Sequence, residues 1–262
     1  DVYKRQGIIR QQTIRGTFYS YLGVVIGFVN IAVLSPLVFT SDQIGLTQVL
    51  IAVATILAQM GSLGFNNVTN RLFPYFRSVS KEHNGFLSLA FLVTTAGFLI
   101  SLVLLFIYLP RFTEINQEKS SLLSEYAFYI PVLLGLVMLF TLLDNFCKVL
   151  FNATIGIALK EVTVRLVNLA CIILFYFRII DFNTFMLLFV LTQALPALII
   201  IIYLLIKGEF RFTGFRHMMD KNMLRQIVSL CLYGIIAGLS GIALTNIDKY
   251  MVNHYNGLSD AG

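Results

Sequence analysis

Residues 40–77 read TSDQIGLTQVLIAVATILAQMGSLGFNNVTNRLFPYFR. A polar turn at Thr40, Ser41 and Asp42 opens the stretch, and no charge follows from Gln43 to Asn70. A membrane-crossing helix needs about 20 mostly apolar residues, so this run is long enough. Ser41 is placed to cap its start, and Gly64 to break it near the end. Beyond the break, Arg71-Leu-Phe-Pro-Tyr-Phe-Arg77 mixes base and aromatic, as an amphipathic segment at a membrane surface does.

Working outward, the same grammar repeats. Of 262 residues, 58% are hydrophobic and only 12% charged, against about 25% charged in soluble domains. The mean hydropathy is +0.83. Seven crossings are predicted, at about residues 17–39, 43–70, 86–109, 125–151, 156–177, 182–206 and 224–247. Pro36 should bend the first. Asn84-Gly85 and Pro110 bracket the third. Pro131 falls in the first turns of the fourth, where proline is tolerated. Pro196 sits within the sixth. The seventh carries Gly234, Gly238 and Gly241, whose spacing suits either close helix contact or flexing. The fold class is all-α, a polytopic transmembrane helix bundle.

The wording of three segments resembles one family. IGLTQVL, QMGSLGFNN and RLFPYFR are similar to the second membrane segment of bacterial polysaccharide-export flippases, members of the multidrug/oligosaccharidyl-lipid/polysaccharide exporter superfamily. GIIRQQTIRGTFYSYLGVVIGFVN resembles that family's first helix, and NIDKYMVNHYNGLSDAG its seventh. The resemblance runs from Gly7 to Gly262. It implies a six-helix half over 7–206, a cytoplasmic connection over 207–223, and the first helix of a second half over 224–262. The family has roughly twice this length, so the chain is expected to be an N-terminal fragment. Asp1 to Gln6, DVYKRQ, resembles the translated end of a sequencing adapter and is set aside.

Net charge is +6. In a soluble chain this could point to nucleic acid. Here the bases lie in short loops, where they orient helices instead, and no nucleic-acid partner is expected. Cys147, Cys171 and Cys231 sit in apolar runs and read as buried hydrophobes. His83, His217 and His254 show no ligand spacing, so no metal site is expected. No nucleotide loop or hydrolase motif appears, and neither catalytic residues nor a cofactor are expected.

Polar groups inside the spans carry whatever mechanism exists. An ionisable residue there costs about 2.5–3.5 kcal/mol on insertion scales and needs a partner or a wet cavity. Asp144 and Lys148 are four apart on one helix face, as are Glu161 and Arg165. Two readings stay open. The pairs line a cavity that meets a phosphate-bearing substrate, for which arginine's planar fork is suited. Or they are interfacial salt bridges, with Lys148 reaching to water. A short turn at about 152–156 lets the two charged faces meet near a cytoplasmic mouth. Asp248 and Lys249 end the last span, where the resemblance implies a frequent Asp. Asn30, Gln59, Asn66, Asn67, Asn168, Gln193 and Asn246 suit helix–helix bonding, with substrate contact as the alternative. Arg71 and Arg77 suit headgroup anchoring or phosphate capture.

Three functions compete. The resemblance implies a flippase for lipid-linked, polyprenyl-pyrophosphate oligosaccharide, serving surface polysaccharide or O-antigen (lipopolysaccharide) export by alternating access. Membrane lipid and a coupling cation, H+ or Na+, would be partners. The second is a drug or metabolite exporter of the same superfamily. The third is an envelope glycan polymerase or acyltransferase, against which the short loops argue. Counting Lys and Arg from a cytoplasmic start places thirteen inside and four outside, besides Lys4 and Arg5. This bias predicts a cytoplasmic N-terminus in the bacterial inner membrane. A reporter fused after Gly262 should be active only outside the cytoplasm. Activity confined to the cytoplasm contradicts the orientation.

Overall fold

The structure, a computed structural model, describes residues 2–78, 81–117, 121–215 and 220–256. It is helical, with no strand among the described residues. Among the described residues, five helical runs are long and apolar enough to cross a membrane: Arg10–Val38, Ser41–Gly61, His83–Leu109, Tyr129–Val149 and Phe182–Lys207. They coincide with the first, second, third, fourth and sixth predicted spans. The fifth, Thr154 to Tyr176, is also helical, but carries Lys160, Glu161 and Arg165. The seventh lies within a helix over Lys221–Asn256.

Local chemistry sets the ends. α1 (Val2–Phe28) continues through a π-helical stretch, Val29–Leu34, into α2 (Ser35–Val38). The expected bend at Pro36 takes the form of this widened turn, in which the Ser35 amide bonds back to the Asn30 carbonyl. A proline without N–H disrupts the regular ladder, and a π-bulge absorbs the mismatch. α3 (Ser41–Gly61) is capped by Thr40, one residue earlier than expected. The Gln43 amide donates to Thr40 Oγ1 at 3.4 Å, and the Thr40 amide donates to Gln43 Oε1 at 3.1 Å. This reciprocal box needs a Gln three residues on, which selects Thr40 over Ser41.

The chain then turns through Leu63 and Gly64, both at positive φ, into α4 (Phe65–Phe76). α4 is amphipathic as read. Phe65, Val68, Leu72, Phe73 and Phe76 are buried, while Arg71 and Tyr75 are exposed. α5 (Phe86–Gln117) passes through Pro110 rather than ending there. The expected stop at Pro110 is therefore corrected. α6 (Ser121–Tyr126) leads by a turn into α7 (Tyr129–Val149), with Pro131 in its first turn.

α8 (Thr154–Ile157), a second π-helical stretch over Ala158–Thr163, and α9 (Val164–Tyr176) form one run. α10 (Phe182–Thr192) starts at an Asp181 cap. Hydrogen bonds from Thr184 hold that carboxyl below the usual range. Gln193 and Ala194 break the span before α11 (Leu195–Lys207), whose first turn takes Pro196. α12 is Lys221–Asn256.

Residues 207–215 pack back onto the α4–α5 loop. His83, 4% exposed, meets Glu209 at 2.7 Å, with its other ring nitrogen 3.3 Å from the Ser78 amide. Lys81 donates to the Lys207 carbonyl at 2.7 Å. One apolar core gathers Phe73, Phe76, Phe86 and Phe146. A second gathers Leu46, Leu123, Ile130 and Met186.

In lipid, apolar burial gives little drive for helices to associate, so close packing and hydrogen bonds hold the bundle. Glycines mark those contacts. Gly61 meets Gly97 backbone to backbone, and Ser101 donates to the Leu57 carbonyl at 3.1 Å. Gly234 lies on Gly64, and Gly238 on Gln59. Gly234 and Gly238 of the seventh span are therefore helix contacts. Gly64 and Gly208 share φ +69°, but a Cβ at Gly64 would lie 2.7 Å from the Ile235 nitrogen, while nothing lies within 4 Å at Gly208. Gly208→Ala should cost only the left-handed strain, about 1 kcal/mol. Gly64→Ala should cost roughly 1–3 kcal/mol more through overpacking. Thermal unfolding in detergent reads both, and equal losses contradict this packing.

Candidate functional site

The fifth predicted span carries a stripe at Glu161, Arg165, Asn168 and Ile172, a helical repeat that puts all four on one face. That face looks inward, onto a cavity of about 320 Å³. Helix one contributes Gly27, Asn30, Ile31 and Ser35. α3 contributes Gln43, Thr47, Gln48 and Ile51. α10 contributes Phe185 and Phe189, and Gln193 follows it. A water needs about 10–15 Å³ of such volume, so the space is ample for a hydrated site. It also falls in the range of small-ligand pockets, apolar walls with a few convergent polar groups.

Helix one packs on this stripe through glycines. A Cβ at Gly23 would fall 2.7 Å from Glu161 Cβ, and one at Gly27 would run into the Arg165 guanidinium. The bare surface lets the charged face approach the helix axis. Arg165 Nη2 meets Glu161 Oε2 at 2.5 Å. Its Nη1 donates to the Gly23 carbonyl. Asn30 Nδ2 donates to the Arg165 carbonyl at 2.8 Å, so each helix supplies a side chain to the other's backbone. Asn30 is 5% exposed. Its Oδ1, and that of Asn168, are buried with no hydrogen-bond partner among the described residues. Both π-helical stretches lie at this crossing, one holding Asn30 and the other Lys160 and Glu161. Such bulges often mark functional positions.

The other paired charges lie elsewhere. Lys148 Nζ meets Asp144 Oδ2 at 2.5 Å. Asp144 is buried beside the first core, its carboxylate pressed against Gly156, and Oδ1 has no hydrogen-bond partner. Neither residue lines the cavity, so the expected meeting of the two charged faces does not occur there. The pairs stand on opposite sides of the α7–α8 connection. Lys160 lies 6.0 Å from the Phe140 ring centroid.

Arg71 is on the exposed face of α4. The Arg77 guanidinium lies 4.5 Å over the Phe151 ring, whose residue's carbonyl accepts from Gln12. Asp248 and Lys249 fall in the backbone of α12, and their side chains lie outside the described residues. Asn66 serves as helix glue, accepting from Asn145 at 2.8 Å. Asn168 and Gln193 line the cavity instead. Reading by span missed Gln43, Thr47 and Gln48, and missed Gly23 and Gly27. Their signal was available as the GxxxG of Gly23 and Gly27 in helix one and as polar residues on one face of α3.

The model of the family described as polysaccharide biosynthesis protein matches residues 12–262. The chain belongs to that family. No curated protein and no solved structure gives a significant match. Family membership and the apolar helices together make this a multi-pass membrane protein of polysaccharide biosynthesis.

Gly16 tests the glycine seam against its own neighbour. A Cβ there would meet Ile157 Cδ1 at 3.5 Å, an ordinary contact. Gly16→Ala should leave the unfolding temperature in detergent near that of the parent. Gly23→Ala should lower stability by about 1–3 kcal/mol, since the nearest atoms are Cβ and backbone and cannot swing away. A seam indifferent to Gly23→Ala would contradict the packing described.

Proposed function

We propose that this family member serves to move a polyprenyl-pyrophosphate-linked oligosaccharide across the bacterial cytoplasmic membrane by alternating access, for surface polysaccharide or O-antigen export. The observation that carries the reading is the Glu161–Arg165 pair facing an internal cavity rather than the perimeter. A cationic fork beside amide and hydroxyl groups suits a phosphate-bearing, polyhydroxylated cargo better than a drug cation. Exposed Arg71 and Arg77, on a segment amphipathic at one bundle end, suit first capture of a phosphate at the cytoplasmic face.

Alternating access in such folds rocks one bundle against another about a central site. In this reading residues 7–206 form the first bundle, and α12 begins the second. In the same reading the N-terminus is cytoplasmic, which the Lys and Arg bias supports. Coupling to H+ or Na+, or substrate flux, supplies the energy. The protein acts as a carrier and not as an enzyme.

The full-length protein, expressed in a strain lacking its own copy, should restore surface polysaccharide. Arg165→Gln should reduce restoration at least tenfold at equal membrane abundance, with lipid-linked oligosaccharide accumulating on the cytoplasmic leaflet. Drug efflux without any glycan phenotype would favour the exporter reading. Glycosyl or acyl transfer by purified full-length protein would favour an enzyme.

A further inference from the structure

Gln59 and Asn66 lie away from the large cavity, in a polar setting of their own. They border a second cavity of about 60 Å³ where α3 breaks into α4, between α3, α4, α5 and α7. It shares no lining residue with the larger one. The rest of its polar lining is hydroxyl, from Thr55, Ser62, Thr69, Thr94 and Thr141, and no lining side chain is charged.

The hydrogen bonds sort what these groups offer. Thr141 donates to the Val137 carbonyl at 2.7 Å, Thr69 to that of Phe65 at 3.1 Å, and Ser62 to that of Gln59 at 2.8 Å. Each spends its proton on a nearby backbone carbonyl, and its oxygen keeps lone pairs to accept with. Asn66 is the opposite case. Its Oδ1 accepts from Asn145 at 2.8 Å, which leaves its NH2 to donate. Acceptors and donors therefore border one space. An alkali ion calls for acceptors only and an anion for donors only, and either would enter with no opposite charge beside it. Water does both. At ~15 Å³ per molecule the cavity holds about four waters. It is far below the roughly 300 Å³ at which small-ligand pockets begin, so a cargo sugar does not fit.

We propose that this cavity is a binding site for a cluster of water molecules inside the helical bundle. The water donates to the Thr69 and Thr141 oxygens and accepts from the Asn66 amide. Hydrocarbon offers such groups no partner, and the cluster supplies one at the α3–α4 break. Gln59 borders this cavity and also meets Gly238 of α12. The water thus stands behind the contact that seats α12. None of this depends on which cargo the protein moves.

X-ray radiolysis of the full-length protein in detergent tests the proposal, because hydroxyl radicals formed from a bound water oxidise the side chain beside it. Met138 lines the cavity and is 4% exposed, whereas Met186 is 0% exposed and lines neither cavity. With a scavenger quenching radicals in the bulk solvent, Met138 should be oxidised several-fold faster than Met186. Thr69→Val with Thr141→Val, which removes two of the water's partners, should bring the Met138 rate down toward that of Met186. Replacing choline chloride by NaCl at equal ionic strength should shift the unfolding temperature of parent and double variant equally. A Met138 rate no higher than that of Met186, one that the scavenger abolishes, or one unchanged in the double variant overturns the proposal. So does a stabilisation by sodium that the double variant loses, since the cavity is then an alkali-ion site. If the double variant does not accumulate, the scavenged ratio of Met138 to Met186 in the parent decides alone.

Discussion

A guanidinium inside a membrane bundle has to find oxygens, and here it finds them on two helices at once. Arg165 bonds to the carboxylate one turn earlier in its own helix and to a backbone carbonyl of helix one. Asn30 returns the favour by bonding to the Arg165 carbonyl. Both side chains stay partly exposed to the cavity, 33% and 28%, so loss of either partner leaves a partly wetted charge and not a fully buried one. The glycines of helix one and the inward turn of the 161–165–168 stripe bring this group up against the backbone of helix one. The cavity exists because a helix carrying such a stripe cannot close fully on its apolar neighbours.

The rest of the bundle is arranged by a second constraint, that greasy helices in lipid gain little from hiding apolar surface. Contacts therefore concentrate where side chains are small. Gly61 on Gly97, Gly64 on Gly234 and Gly238 under Gln59 fix the positions of α5 and α12 against α3 and α4. The surface-type segment α4 is different. Its buried phenylalanines form a ring-packed core with Phe86 and Phe146, some centroids 5.2–5.7 Å apart, and the polar face carries Arg71. His83 and Glu209 close that end of the bundle. One half of the molecule is thus held by backbone proximity, and the end beyond it by aromatic packing and polar bonds.

Much of this was legible in the sequence. Hydropathy alone located the spans over Tyr129–Val149 and Phe182–Lys207 within a few residues and the start of Ser41–Gly61, whose end it ran past into α4, and the four-residue spacing gave both ion pairs. Gly64 was rightly read as a break because a left-handed residue is where glycine is worth most. Three things were hidden. Whether Asp144 shares a cavity with Glu161 depends on the rotation of α7 against the α8–α9 run, which no spacing within one helix specifies. Pro36 announced a distortion but not its type, since a kink and a π-bulge share one sequence signal. Pro110 looked like a stop because proline is rare inside helices, yet α5 continues past it. The capping residue shifted from Ser41 to Thr40 because the Gln43 partner, and not the hydroxyl alone, selects the register.

The account stands on the claim that the charged face of the α8–α9 run looks into the bundle while its opposite face looks out. Leu166, 47% exposed, and Asn168, on the cavity wall, lie two residues apart and so on different faces. Single spin labels at each, in a full-length protein with Cys147, Cys171 and Cys231 replaced, would report their surroundings by relaxation with oxygen and with a water-soluble nickel complex. A label replacing Leu166 should show the oxygen preference of lipid, and one replacing Asn168 relatively greater access for the polar reagent. The opposite pattern, with position 168 in lipid and position 166 sheltered, would contradict the account.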